Sequence, residues 1–256
     1  MAPIFLQCSD VPLVLVIAAV FAATAFIGIG KSGFGGGVGL VSPALYAQVM
    51  PMREVLGLMQ PLLMAGDVAA VWAWWRKWDT RNVLLLMPGT VLGVLSGAAI
   101  IAHLPNRYLQ IGLGIISLAF VLLQVLRQRG TITGARFRPV LWHALIVGLG
   151  AGVCSTLAHA AGPIITLYLM PQDLGKERFV ATTALYFAIL NLVKFPFFLA
   201  NGMLTVHVAL SAAWLVPVVG LGSLLGVWMN RRVSENVFAA IVYAIVVVTA
   251  VKLLVG

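Results

Sequence analysis

Six apolar stretches of membrane-spanning length recur along the chain, separated by short polar or glycine-containing connections. Each holds about 20 residues with few charged side chains, the length that an α-helix needs to cross the roughly 30 Å hydrocarbon core of a bilayer. The helix satisfies every backbone hydrogen bond within the segment, so an apolar solvent tolerates it. The pattern predicts helices at about 54–75, 83–102, 105–126, 179–199, 208–229 and 235–254.

Two further apolar segments, 11–50 and 140–170, contain many glycines and do not fit a single span. At the helical rise per residue, the first would extend ~60 Å and the second ~47 Å, against a hydrocarbon core of roughly 30 Å. Each is too long for one simple crossing, and the second is short for two. We therefore predict that each segment is a broken helix.

Sequence repeats relate the first half of the chain to the second. The stretch "PGTVLGVLSG" at 88–97 matches "PVVGLGSLLG" at 217–226 with a constant offset of 129 residues. Weaker matches link 41–46 with 161–166 and 53–60 with 178–185. Each half then consists of a broken segment followed by three helices.

These patterns predict an all-α polytopic membrane protein that forms one integral membrane domain. Its first repeat is expected at 1–127, a basic cytoplasmic connection at 128–139 and its second repeat at 140–256. Counting each broken segment as one span gives eight spans, and counting it as two gives ten.

The charges of equivalent loops favour repeats of opposite orientation. Loop 76–81 carries Arg76, Lys77 and Arg81 beside a belt of tryptophans, while its equivalent at 200–207 has no Lys or Arg. Conversely, loop 230–236 carries two arginines, while its equivalent at 103–107 carries one. Because basic loops remain on the cytoplasmic side, equivalent loops are expected to face opposite sides of the membrane.

Inversion requires segment 140–170 to return to the side from which it enters, as two half-helices with a break. The inverted-repeat transporter architecture has this form, and its binding site lies near the midplane where broken helices meet. If the segment crosses only once, the chain has two parallel groups of four spans and the loop charges go unexplained. We favour inversion, with 76–81, 127–138 and 230–236 in the cytoplasm.

The composition excludes a soluble protein and bears on partners. Hydrophobic residues make up 62% of the chain and charged residues only 9%, with a mean hydropathy of +1.07. The 16 Lys and Arg against 7 Asp and Glu lie in short clusters between apolar runs, so a lipid bilayer and not a nucleic acid is the expected partner. Cys8 and Cys154 have no metal-binding spacing, so no cofactor is expected. The N-terminus carries no Lys or Arg before the first apolar run, which argues against a cleaved signal peptide.

The stretch "GIGKSGFGGGVG" at 28–39 contains part of a phosphate-binding-loop motif. The full motif needs a further glycine where Ala25 stands and a preceding β-strand, and the flanks here are membrane-length apolar runs. A nucleotide site is therefore not indicated. Inside a membrane, clustered glycines permit either unwound backbone around a cavity or simply close helix packing.

On the first of these interpretations, the glycine stretch contributes to an anion site. A half-helix that begins near Gly35, Gly36 and Gly37 would direct its free N–H groups and the positive end of its dipole at an anion. Lys31 and Ser32 would add a charge and a hydroxyl donor. Glycine-interrupted segments in both halves favour this interpretation over packing alone.

The second break, "GLGAGVCSTLAHAAGP" at 148–163, places Ser155, Thr156 and His159 at the matching position. The two hydroxyls either donate to an anion or bond back to helix carbonyls, as they often do in membrane helices. His159 is a candidate for substrate binding, for proton transfer near neutral pH, or for a structural role.

Ionisable residues within spans are costly, which makes each a candidate functional residue. Asp67 lies mid-span and is predicted either to pair with Lys31 or Lys194 or to carry a coupling proton. Lys194 lies nearer its helix end, where it binds substrate or reaches the interface. Gln60 and Asn191 occupy repeat-related helices and are candidates for bonding a ligand or a neighbouring helix.

The residues at 29–45, "IGKSGFGGGVGLVSPAL", and the stretch from Arg53 to about residue 98 resemble the TauE/SafE-type sulfite and organosulfonate exporters, with a degenerate second copy at about 148–254. The resemblance implies two related four-helix-like halves and transport of small sulfur-containing anions in a bacterial inner membrane. Two features depart from it: Lys31 and Ser32 replace a more usual apolar-glycine sequence, and the second copy keeps only "HAAGP" of the glycine cluster.

No catalytic set of residues stands out, so the chain is not expected to be an enzyme. The leading hypothesis is a secondary transporter that moves sulfite, sulfoacetate or another organosulfonate by alternating access of its two repeats. An anion channel is the second hypothesis, and a membrane-embedded enzyme is the third. The sequence leaves the coupling ion and the direction of transport open and allows a homodimer.

Overall fold

The computed structural model describes residues 12–34, 39–128, 140–232 and 235–255, and these residues are helical apart from short connections. Helix α1 continues into a π-helical turn, Gly30–Phe34, and α7 into a short 3-10 turn. The helices are α1 (Leu13–Ile29), α2 (Val41–Tyr46), α3 (Met52–Ala73), α4 (Thr80–Ile101), α5 (Asn106–Gln128), α6 (Leu141–Ala158), α7 (Gly162–Leu169), α8 (Lys176–Ala200), α9 (Val206–Ala213), α10 (Val216–Arg232) and α11 (Glu235–Val255).

Six of these helices are long and apolar enough to cross a membrane, and a seventh span is the bent pair α9–α10. The last helix, α11, contains the shorter apolar stretch Ala240–Val255. Large apolar side chains face outward, as a lipid-exposed surface requires. Examples are Val14, Leu84, Leu192, Leu224 and Val248. The prediction of an all-α polytopic membrane protein is therefore confirmed.

The predicted helix at 208–229 is not one continuous helix. The structure divides it at Trp214 and Leu215 into α9 and α10, whose axes differ by 49°. Pro217 lies just after the break and has no N–H to donate to a carbonyl in the preceding turn, so the helix is weakened there. The predicted span at 208–229 is therefore present, but as a bent pair of helices.

Segment 140–170 is broken, as predicted. Segment 140–170 forms α6 and α7, and the helix ends where His159 takes the left-handed conformation, at φ 51°. The segment 11–50 forms α1, the π turn and the six-residue α2. Gly35, Gly36 and Gly37, where the first break was predicted, lie outside the described residues.

Helices α4 and α6 pack backbone to backbone because glycines line their contact. A Cβ placed on Gly89 would lie 2.1 Å from the Leu145 carbonyl oxygen, and one on Gly93 would lie 2.2 Å from that of Leu149. These contacts advance along both helices in the same direction, so α4 and α6 run parallel. The spaced glycines are a packing face, as in other membrane helix pairs.

Helices α1 and α10 pack in the same way. A Cβ on Gly28 would lie 2.2 Å from the Val219 carbonyl oxygen, and one on Gly226 would lie 2.7 Å from that of Ile29. These helices are also parallel. Gly152 of α6 contacts Thr90 and Val94 of α4. Gly28 of α1 contacts Val219 and Ser223 of α10, which lie 129 positions after Thr90 and Val94 in the sequence.

Substitution of Gly152 by alanine is expected to destabilise the protein, while the same change at Gly150 is not. A Cβ on Gly152 would lie 2.4 Å from the Thr90 carbonyl oxygen, whereas one on Gly150 meets only Ile164 Cδ1 at 3.9 Å. Overpacking of this kind costs about 1–3 kcal/mol, and Gly150→Ala should gain roughly 0.5–1 kcal/mol of helix propensity. Thermal unfolding in detergent, followed by circular dichroism, measures both. Equal melting temperatures would contradict the glycine contact.

Candidate functional site

A cavity of about 480 Å³ lies between the broken segments of the two halves. The first half contributes residues of α1, the π turn, α2 and α3, and the second half contributes residues of α6, α7 and α8. Its polar side chains are Lys31, Ser42, Ser155, His159 and Asn191, and its large apolar ones are Ile27, Leu63 and Phe187.

Lys31 lies in the π turn at the end of α1 and forms an ion pair with Asp67 of α3. The second oxygen of Asp67 accepts a hydrogen bond from Asn191 Nδ2 at 2.6 Å. Asp67 is 3% exposed, so both of its oxygens need such partners. The structure therefore selects Lys31 as the partner of Asp67 from the two that the sequence allowed.

Lys194 of α8 is fully buried, and no carboxylate among the described residues bonds to it. Its Nζ donates to the Ser155 carbonyl oxygen at 3.3 Å, to Ser155 Oγ at 3.0 Å and to His159 Nδ1 at 2.9 Å. Three acceptors match the three N–H donors of an ammonium group. Lys194 does not reach the membrane interface, and it lies directly behind two residues that line the cavity.

Both ring nitrogens of His159 have partners. Nε2 lies 3.0 Å from the Leu56 carbonyl oxygen, which can only accept, so Nε2 carries the hydrogen. Nδ1 is then the bare nitrogen that accepts from Lys194. A second proton on this ring would point at the ammonium group, so the contacts favour the structural role of His159 over proton transfer.

Besides Asp67 and Lys194, three predicted site residues in the described ranges lie outside the cavity lining. The Ser32 carbonyl oxygen accepts from Trp74 Nε1 at 2.8 Å, and Thr156 Oγ1 donates back to the Gly152 carbonyl oxygen at 2.9 Å. Gln60 Nε2 donates to the Asn191 carbonyl oxygen at 2.9 Å, across the α3–α8 contact. The Thr156 and Gln60 side chains thus bond helix carbonyls in this structure, whereas Ser32 Oγ is buried and has no partner among the described residues.

Ser42 and Phe187 are among the cavity residues that were not predicted from the sequence. Ser42 Oγ is buried and has no partner among the described residues. The sequence repeat could have indicated Ser42, because Ser42 precedes Pro43 as Gly162 precedes Pro163. Ser42 and Gly162 both line the cavity. Phe187 places its ring 5.4 Å from Lys31 Nζ, and no pattern in the sequence indicated this contact.

A polar cluster joins the two halves beyond the cavity, at what we call the Lys77 end of the molecule, the end where α4 begins. Lys77 Nζ lies 2.8 Å from Glu177 Oε2, and Arg178 Nη2 lies 2.9 Å from Asp79 Oδ2. Asn82 and Gln172 are joined by a further hydrogen bond of 2.9 Å. The start of α4 and the start of α8 therefore lie side by side.

Apolar spans around a buried polar cavity define a polytopic membrane protein with an internal solute site. No group of three or more metal-ligating side chains occurs in the described ranges. The chain belongs to the sulfite exporter TauE/SafE family, whose model matches residues 17–253. It is a transporter family, in agreement with the prediction that the chain is not an enzyme. The chain matches no curated protein and no solved structure.

Proposed function

We propose that this protein is a secondary transporter of small sulfur-containing anions, such as sulfite, sulfoacetate or other organosulfonates. The observation that carries the proposal is the cavity between the broken segments, which Lys31 lines and behind which Lys194 is buried. Cations at this depth are costly and are retained where a substrate or ion pathway needs them. The protein acts in a bacterial inner membrane, with the anion and the bilayer as its partners.

The two repeats are inverted, which makes alternating access by rocking of one repeat against the other a natural mechanism. Helix α6 runs parallel to α4, away from the Lys77 end, and α7 with its 3-10 turn leads back to Gln172, which bonds Asn82 at that end. Segment 140–175 therefore begins and ends at one end of the molecule.

The first half has the opposite course. Asn230 Nδ2 donates to the Gly33 carbonyl oxygen, so α1 ends where α10 ends, and Lys176 bonds the Asn230 carbonyl oxygen at 2.6 Å, at the Lys77 end. Helix α3 begins at the other end, where Asn106 Oδ1 accepts from the Arg53 N–H. Segment 11–50 thus enters and leaves at the end opposite to Lys77, and the chain makes eight passages, or ten with α2 and α7 counted.

The Lys77 end is cytoplasmic in this proposal, because Lys77, Lys176, Arg178, Arg231 and Arg232 cluster there. Asp67 remains the candidate for coupling a proton, because an anion that pairs with Lys31 would leave the Asp67 carboxylate free to bind a proton. The site lies near the membrane midplane, at about half the length of α3 and α8.

Transport into proteoliposomes tests the proposal. Labelled sulfite or ethanesulfonate is expected to accumulate with saturable kinetics and to show counterflow, whereas a channel would give neither. Lys31→Ala is expected to lower the initial rate by roughly tenfold or more, because a charge-assisted contact to the anion is lost. Lys252→Ala, at an exposed position near the end of α11, is the matched control. Unchanged transport by Lys31→Ala would remove Lys31 from the site, and absence of any saturable flux would contradict the function itself.

A further inference from the structure

With Lys194 as an ammonium group, the cavity and the groups directly behind it carry an excess of one positive charge. Lys31 and Asp67 form a pair and together contribute no net charge. The hydrogen-bond acceptors of Lys194 in the described ranges are all neutral, namely two atoms of Ser155 and one nitrogen of His159. Within the part of the chain that the structure describes, no acidic side chain bonds to Lys194. An uncompensated ammonium group in an apolar interior is costly, and it either loses its proton or is neutralised by an anion. An anion bound in the cavity therefore favours the ammonium form of Lys194, and the ammonium form favours the anion.

Two hydroxyl groups can donate to such an anion. Ser42 is 1% exposed, lines the cavity, and its Oγ has no partner among the described residues. Ser155 lines the cavity from the opposite half, and its Oγ accepts from Lys194, so its own hydrogen remains free to donate outward. A buried hydroxyl without a partner is unusual, and a bound oxyanion would satisfy it.

We propose that this cavity selects oxyanions with a single negative charge, and that Lys194 provides the compensating charge through Ser155 without touching the ligand. Lys194 is thus a positioning residue, while Ser42, Ser155 and Lys31 contact the oxyanion. This inference rests on the proposed transport function and narrows its substrate class. A monoanion leaves the site neutral, whereas a dianion leaves one negative charge in surroundings of low dielectric constant.

The rest of the lining suits a sulfonate with a short apolar substituent. Ile27, Leu63 and Phe187 form the apolar wall, which accommodates a methyl or ethyl group. A zwitterion such as taurine would need an acceptor for its ammonium group, and both oxygens of Asp67 are already bonded, by Lys31 and Asn191. Methanesulfonate and ethanesulfonate are therefore preferred over taurine, and over dianions such as sulfate and sulfoacetate.

Binding of ethanesulfonate and sulfate to the purified full-length chain in nanodiscs, measured by isothermal titration calorimetry, tests the selectivity. Ethanesulfonate is expected to bind at least tenfold more tightly than sulfate. Bound sulfate leaves one unbalanced negative charge in the cavity, which costs well over the ~1.4 kcal/mol that corresponds to a factor of ten in affinity. Equal affinities would overturn the inference while leaving the transport proposal intact. If neither anion binds and neither is transported, the proposed function itself fails.

Charge variants separate the role of Lys194 from a merely structural one. Lys194→Gln retains donors and volume but removes the excess charge, so ethanesulfonate binding should fall by at least tenfold. Asp67→Asn raises the excess charge to two and should shift the preference to sulfate. The double variant Lys194→Gln/Asp67→Asn restores an excess of one and should recover ethanesulfonate binding, which loss of structure cannot produce. Lys252→Gln is the control for removal of a distant charge.

A second route does not depend on the folding of the charge variants. Ser42→Ala removes a hydroxyl that has no internal partner, so the variant is expected to fold like the wild type. It should nevertheless bind ethanesulfonate roughly tenfold more weakly, because a hydrogen bond to a charged group is lost. Ser96→Ala is the matched control, since the Ser96 hydroxyl is exposed and bonds its own helix at the Leu92 carbonyl oxygen. Unchanged affinity in Ser42→Ala would overturn the assigned contact.

Discussion

The substitution Asp67→Asn is expected to lower the free energy of unfolding by about 3–5 kcal/mol, the cost of leaving one member of a buried ion pair without its partner. Asp67 is 3% exposed and bonds Lys31 and Asn191. Water therefore does not reach this position to solvate the Lys31 ammonium group that the variant leaves without its counter-charge. Denaturant unfolding of the purified protein in detergent, followed by tryptophan fluorescence, measures the loss.

The double substitution Lys31→Met/Asp67→Asn is the internal control for this result. Removing both charges together should recover most of the lost stability, because a neutral pair of similar volume has no unbalanced charge to desolvate. At the surface, Glu177→Gln disrupts the exposed pair with Lys77 and should unfold like the wild type. If Asp67→Asn were as stable as the wild type, Asp67 and Lys31 would not be a charged pair in the folded protein.

Cysteines introduced at Thr80 and Asn201 are expected to react with a membrane-impermeant maleimide from opposite sides of the membrane. Thr80 begins α4 at the Lys77 end, and Asn201 follows α8. The effect is all or none, because a charged reagent does not cross the bilayer. Labelling is done in a background in which Cys8 and Cys154 are replaced by serine, with intact spheroplasts compared against inside-out vesicles.

This labelling distinguishes inverted from parallel repeats. Inversion gives an odd number of crossings between Thr80 and Asn201, because α6 and α7 return to the Lys77 end. In the parallel arrangement segment 140–170 crosses once, the number is even, and both cysteines would react from the same side. In the inverted arrangement Thr80→Cys reacts from the cytoplasmic face only. Labelling of both positions from one face would exclude inversion.

Several residues of the candidate site could be identified from the sequence, because charged side chains are rare in the interior of a membrane. Asp67, Lys31 and Lys194 stood out because charged side chains in apolar spans need a partner or a function. The sequence could not choose between Lys31 and Lys194 as the partner of Asp67, since that choice depends on how α1, α3 and α8 cross. It also left open whether the Thr156 hydroxyl binds a ligand or bonds back to its own helix, and in the structure that hydroxyl donates to the Gly152 carbonyl oxygen.

The membrane class, the broken segments and the relation between the halves were determined by the sequence itself, because apolar length and glycine spacing act locally along the chain. The bend between α9 and α10, the orphan hydroxyl of Ser42 and the burial of Lys194 against Ser155 and His159 were decided only by the tertiary structure. The physical reason is that a cavity and its charge balance are properties of residues from several helices at once. The helix crossings, set by glycine contacts such as that of Gly152 with Thr90, bring those residues together.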